Sequence, residues 1–428
     1  MTTIHKGASK SGAPFFNGNQ KKVVNQSSVS QGGCRVVMNY QSLGNIKRLT
    51  KRLVWGAALV VLGQVVLVQA VEVSQDEIRK ALRRGSQFLY DNQDATGWWS
   101  NPELPALTGL SLVALKAANV KDLNVKYQSE RMRAYDYLTS LAKPDGTIHN
   151  GRLINYNTAC SLMALSVANG DQFKTLIEKA RQSIANSQVD LGVKGKLDNP
   201  HDGGVGYNSK YDHSDMNNTL MAVEAMRMSE LALKKGENGP ETPAVDLNWE
   251  ALEYFLTNCQ NLPERSNNPN LSDKPEDRGG FIYHPGESKA GEVVDDGIKR
   301  VALRSYGSIS YAGMMSFAYA RVDKNDDRVK SVISWLGNNY TLDENPGMGQ
   351  EGLYYYFHLM AKALTAQQVQ KLKLAGGREI DWENSLAKRL VALQKEDGSW
   401  VNPTKRWMEG DPILTTSYVL VALSLLVE

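Results

Sequence analysis

From residue 75 onward the chain alternates two kinds of helical pattern. The first carries a narrow apolar stripe on a charged background. Ile78, Leu82, Phe88 and Leu89 recur at helical spacing behind Ser74-Gln-Asp-Glu77, a capping box that opens a helix ending near Gln93. The same pattern returns at about 125–141, 172–187, 249–259, 327–338 and 382–394. The second kind is apolar nearly all round and rich in Ala, Ser and Gly, at about 106–117, 158–167, 219–228, 310–320, 354–364 and 415–427. A narrow stripe predicts a helix exposed on one side, whereas an all-round apolar helix must be buried.

The buried helices align without gaps. Thr108–Leu115, Thr158–Leu165 and Thr219–Met226 are followed by Ser310–Phe317, Phe357–Leu364 and Thr416–Leu423. Ahead of them stand the loop glycines Gly97, Gly146, Gly206, Gly280, Gly347 and Gly398, spaced for two helices plus connections. A single helix pair cannot bury its own apolar face, so neighbouring pairs must stack. Six inner helices inside six amphipathic ones predict an all-α closed double ring, since a linear stack would need polar end caps that the pattern lacks. Two connections are much longer than the rest, 189–215 and 261–306. Both lead into the N-terminus of an inner helix, which puts both on one rim, the usual place for function on a helical scaffold.

Ahead of the repeats, residues 1–37 have the polar, Ser/Gly/Gln/Asn-rich composition of a disordered extension, and Met38 is an alternative start. Residues 38–70 read as a signal peptide or membrane anchor. Lys47, Arg48, Lys51 and Arg52 precede the apolar run 53–68, and Val68-Gln-Ala70 stands in the cleavage position. The expectation is an exported domain, 71–428, that touches a membrane only through residues 53–70 if they are retained. Lys and Arg (49) nearly balance Asp and Glu (46) over the 428 residues, which removes the electrostatic basis for a nucleic-acid partner. Cys160 and Cys259 read as small buried thiols.

At the ends of the first and last charged helices, Gln93-Asp-Ala-Thr-Gly97-Trp98-Trp99 and Gln394-Lys-Glu-Asp-Gly398-Ser399-Trp400 resemble the QW motif of the squalene cyclase and protein prenyltransferase superfamily. Gly204-Val-Gly206-Tyr207 and Gly279-Gly280-Phe281 look like weaker copies. The resemblance covers about residues 75–428 and implies an (α/α)6 toroid with a central apolar cavity. Class II cyclases of that superfamily protonate an alkene from a DxDD motif. Asp215-Met-Asn-Asn-Thr219 stands in the same register, with Asn217 and Asn218 where acids are required, so squalene cyclisation is not expected. Zinc prenyltransferases hold their metal with Asp, Cys and His. The matching segment here, 300–313, has neither Asp nor Cys, and His358 falls two residues late, so neither zinc nor another cofactor is expected.

The candidate site drawn from these residues has Asp215 and His358 as catalytic groups, Asp215 serving equally well as a helix N-cap. Tyr306, Tyr311, Tyr355, Asn217 and Asn218 would line a ligand pocket, with Arg300 and Arg304 offered to an anionic head group. The expected partner is an apolar small molecule or lipid of isoprenoid type in the central cavity. Two rivals are a polysaccharide lyase or hydrolase built on rim acids such as Asp202, Asp215, Asp295 and Asp296, and a repeat scaffold without chemistry.

Overall fold

The computed structural model describes residues 73–168, 171–207, 213–234, 245–295 and 300–427. The expected extension, leader and cleavage position, residues 1–70, lie outside them. Within the described residues the outer helices are α1 (Gln75–Asp91), α4 (Gln128–Ser140), α6 (Lys174–Asn186), α8 (Trp249–Cys259), α10 (Asp327–Asn338) and α12 (Trp382–Ala392). The inner helices are α2 (Pro105–Ala118), α5 (Ile154–Val167), α7 (Met216–Lys234), α9 (Gly307–Tyr319), α11 (Leu353–Ala366) and α13 (Pro412–Leu426). A short helix, α3 (Lys121–Lys126), precedes α4, so the expected helix over 125–141 is broken at Tyr127. The break lets the Tyr127 ring stack on Tyr90, centroids 4.4 Å apart.

The ring is closed by direct packing. Helix α2 contacts α5, α5 contacts α7, and the chain of neighbours runs on through α9, α11 and α13 back to α2. Each outer helix packs on one or two inner helices, and α1 packs on both α2 and α13, sealing the first repeat to the last. This is the (α/α)6 toroid. Small residues allow the tight inner packing: a Cβ on Gly109 of α2 would lie 2.6 Å from the Cys160 carbonyl oxygen of α5.

Polar side chains set the register. Gln93, Gln188, Gln260 and Gln394 each donate twice from Nε2. One bond goes to the carbonyl of the loop glycine, the other to a backbone carbonyl at the next outer helix: Glu130, Asn248, Arg328 and, for the last, Ala81 of α1. Two residues beyond the glycine, a backbone N–H donates to the hydroxyl that begins the aligned inner helix. The pairs are Trp99 with Thr108, Ile148 with Thr158, Val205 with Thr219, Phe281 with Ser310 and Trp400 with Thr416, at 2.9–3.1 Å. The glycines in this register are Gly97, Gly146, Gly203, Gly279 and Gly398, which moves the third and fourth from the expected Gly206 and Gly280. Gly398 shows why no other residue serves: its φ is +91°, and a Cβ would lie 2.6 Å from the Arg84 carbonyl oxygen.

Two small antiparallel pairs interrupt the all-helical pattern. Strand β1 (Glu292–Asp295) pairs with β2 (Arg300–Leu303) in the longer rim loop, and β3 (Leu372–Lys373) with β4 (Glu379–Ile380) between α11 and α12. Their four and two residues per strand are too short to leave an alternation in the sequence. Cys160 and Cys259 are buried and free. No helix among the described residues is long and apolar enough to cross a membrane.

Candidate functional site

Every loop that runs from an outer helix to the next inner helix lies on one rim, and there the two long loops meet. Asp215 N–H bonds the Val205 carbonyl at 3.1 Å, and Met216 N–H bonds the Tyr283 carbonyl at 2.9 Å. Asp215, fully buried, caps α7. Its Oδ1 accepts the backbone N–H groups of Asn217 and Asn218 at 3.0 and 2.9 Å, and its Oδ2 accepts Asn218 Nδ2 at 2.7 Å. Burial pushes this carboxyl up to about 6, against the lowering effect of the Asn218, Tyr283 and Asn217 hydrogen bonds.

That shift predicts a pH dependence. The folded carboxyl keeps its proton to about pH 6, whereas the unfolded one gives it up near pH 4. The stabilising contribution of the held proton is therefore complete below about pH 4 and lost as pH rises through about 6. Asp215→Asn is expected to remove this slope from the urea midpoint measured at pH 4, 5, 6 and 7. Parallel profiles for the variant and the native protein would refute the assignment.

Tyrosines ring the cap. Tyr355, in the first turn of α11, donates from its hydroxyl to Asn217 Oδ1 at 2.7 Å. Tyr355 also packs against Tyr418 of α13, and Tyr156 of α5 against Tyr207, with centroids 5.5 and 6.4 Å apart. Tyr306, the buried N-cap residue of α9, lies within electrostatic reach of Asp215 and Tyr207. Burial raises the hydroxyls of Tyr207, Tyr283, Tyr306, Tyr355 and Tyr418 above the usual phenol value, so all are neutral. Tyr156, Tyr207, Tyr283 and Tyr355 are only half-buried and form a mouth at the N-terminal ends of the inner helices. Glu409, from the loop before α13, braces it by accepting the N–H groups of Tyr354 and Tyr355 at 3.2 and 2.7 Å.

Below the mouth, a cavity of about 20 Å³ at the ring centre is walled by apolar side chains of α2, α5, α7 and α13 together with His358, Ser417, Glu224 and Lys362. Lys362 of α11 and Glu224 of α7 form an enclosed ion pair, the ammonium 2.6 and 2.5 Å from the two carboxylate oxygens. His358, one turn above Lys362, is driven neutral by burial and by the Lys362 charge, against the Tyr418 carbonyl bond.

Of the residues proposed from sequence, Asp215, Asn217, Asn218, Tyr306 and Tyr355 come together at the mouth, with His358 beneath them. Tyr311 does not join them: it faces Tyr356, centroids 5.5 Å apart, whose hydroxyl bonds the Thr341 carbonyl beyond α10. Arg304 pairs with Asp277 inside the longer loop at 3.6 Å. Arg300 lies in β2, and its side chain is outside the described residues, as is Asp296. Asp202 is occupied within its own loop by the N–H groups of Leu191, Asp198 and Asn199. His201, His213 and His284 gather beside the mouth with centroids 4.9–6.1 Å apart, and burial and the other two imidazoles push His284 down to about 4. Among the described residues, no group of three or more His, Cys, Asp or Glu is placed to hold a metal.

The residues missed from sequence are Tyr156, Tyr207, Tyr283, Tyr418 and the Glu224–Lys362 pair. The repeat register carried their signal. Tyr207 and Tyr283 each stand four residues after their loop glycine, and Tyr156, Asn217 and Tyr355 each stand two before the first aligned residue of the inner helix.

No protein-family model matches the chain, and no curated protein does. Solved structures do align with it. The type II terpene cyclase MstE from Scytonema, in its apo form, is 12% identical over 82% of this chain and 98% of its own, with a TM-score of 0.49. The GH76A alpha-1,6-mannanase from Salegentibacter sp. HEL1_6 is 11% identical over 81% and 98%, with a TM-score of 0.47. A protein from Actinoplanes is 15% identical over 82% and 100%, with a TM-score of 0.44. The chain is similar to these proteins in helical architecture, and its own closed ring of helix contacts establishes the toroid.

Proposed function

We propose that this chain is an exported toroid of squalene-cyclase-like type that binds a small, largely apolar molecule, isoprenoid in character, at the tyrosine-lined mouth. The observation that carries this reading is the half-buried array of Tyr156, Tyr207, Tyr283 and Tyr355 around the Asp215 cap. Aromatic faces pack against hydrocarbon while their hydroxyls fix orientation. The ligand body sits at the mouth, because the cavity beneath, about 20 Å³, has room for about one water. Ordinary class II cyclisation is not part of the reading. Asn217 and Asn218 stand where the motif needs its other acids, and their amides are far too weakly acidic to protonate an alkene.

The test is purification from the native host, followed by mass spectrometry of the extracted small molecules and of the intact chain. An isoprenoid-type compound is expected in the extract, and a chain beginning at or near Val71 is expected if the leader is cleaved. The purified protein should gain thermal stability from a long-chain isoprenoid by mass action, and Tyr355→Glu should abolish that gain while keeping the helical signal. Stabilisation by a carbohydrate oligomer and by no lipid would overturn the reading in favour of a sugar-active enzyme.

A further inference from the structure

Glu224 and Lys362 occupy equivalent places in their repeats, five residues after Thr219 and Phe357. The other inner helices carry Val113, Met163, Met315 and Val421 there. An apolar column thus holds one opposite-charge pair, and both charges are removed from water. Such a pair is not an efficient stabiliser compared with well-packed hydrocarbon.

The chemistry of the cavity wall can be read atom by atom. An ammonium carries three N–H donors, and the two contacts to Glu224 leave Lys362 with one more. His358 Nδ1 lies 3.1 Å from the Tyr418 backbone carbonyl, and a carbonyl only accepts, so the proton of the neutral ring is on Nδ1. Nε2 is then a lone-pair acceptor. Both side chains line the cavity. Apart from Glu224 and Ser417, its remaining walls are Leu110, Val113, Met163, Met221, Val421 and the Tyr418 ring.

One donor and one acceptor facing a space of about 20 Å³ match a single oxygen that both accepts and donates. A water does this, and so does an alcohol. An ether or ketone oxygen has no proton for Nε2, and a hydrocarbon leaves both groups unpaired. Tyr355, at the mouth, stands on the same helix as His358 and about one turn above it, which sets the two levels only ~5 Å apart along the axis.

We propose that the ring centre is a hydroxyl-binding subsite. The ligand of the mouth is an isoprenoid-type alcohol whose oxygen accepts from Lys362 Nζ, donates to His358 Nε2, and takes the place of a water. This inference rests on the ligand-binding reading above and adds the chemical class of the ligand's end.

The probes are geraniol, its methyl ether and the matching hydrocarbon lacking the oxygen, titrated calorimetrically into the purified native protein. Geraniol is expected to bind ~10-fold or more tightly than either analogue, the effect of one or two satisfied hydrogen bonds in an enclosed site. His358→Phe keeps ring volume but removes the acceptor. Glu224→Leu combined with Lys362→Met removes the donor without stranding a charge. Each is expected to bring the three affinities within ~3-fold while hydrocarbon binding persists. Equal binding of geraniol and its ether to the unmodified protein would overturn the subsite and leave the mouth reading intact. Persistence of the preference in both variants would overturn it too. Binding of none of the three would overturn the mouth reading and the subsite with it.

Discussion

Replacing Trp400 by alanine is expected to lower the unfolding free energy by about 3–5 kcal/mol, the range for deleting a fully buried large aromatic. Trp400 is completely enclosed, and its indole N–H donates to the Leu390 carbonyl at 2.8 Å. Its backbone N–H bonds Thr416, and its ring lies against Gly85 of α1, where a Cβ would come within 2.8 Å of the indole. The residue therefore joins α12, α13 and α1, the point where the last repeat meets the first. Against a typical total of about 5–15 kcal/mol, the loss is a large fraction of the whole. Urea denaturation measures it, with Trp400→Phe as the milder comparison. A midpoint unchanged in the alanine variant would rule out this joining role.

The second large effect is expected at the ring centre. Lys362→Met alone leaves the Glu224 carboxylate enclosed without its ammonium, and breaking a buried pair in this way costs about 3–5 kcal/mol. Adding Glu224→Leu removes the stranded charge. The double variant is expected to recover most of the loss, or to exceed the native protein, because hydrocarbon of similar volume replaces both ions in an otherwise apolar column. A double-mutant cycle by urea denaturation reads the coupling. Simple additivity, with the double variant less stable than either single one, would contradict the account.

The helices were legible because their period and their composition agree. Trp249–Cys259 and Asp327–Asn338 are recovered at both ends, and the aligned hydroxyls Thr108, Thr158, Thr219, Ser310 and Thr416 each accept the same loop N–H. Placing Asp215, Asn217 and Tyr355 on one rim followed from the register alone. What the register did not resolve was azimuth: four successive aromatic positions, Tyr354–Phe357, point in four directions, and only contacts show that Tyr355 turns to the axis while Tyr356 turns to Thr341. Tyr311 was misplaced for the same reason. Glu224 sat in plain view within an apolar phrase, but its meaning depends on Lys362, 138 residues later. Partnership across that distance leaves no local mark.

The bond from Gln394 to the Ala81 carbonyl spans 313 residues of sequence. In a linear array of repeats, each unit can consolidate on the one before it as the chain is made. Here α1 must wait for α12 and α13 before its seam is covered, and α2 waits for α13 as well. The early repeats therefore spend most of synthesis with apolar faces open, and the final step is a long-range docking of the kind that folds slowly and invites misassembly. The same closure gives the finished ring no terminal repeat from which to fray. Removing α13 uncovers α2 and α11 together, so loss of one unit is felt on both sides, and the toroid melts as one body rather than repeat by repeat.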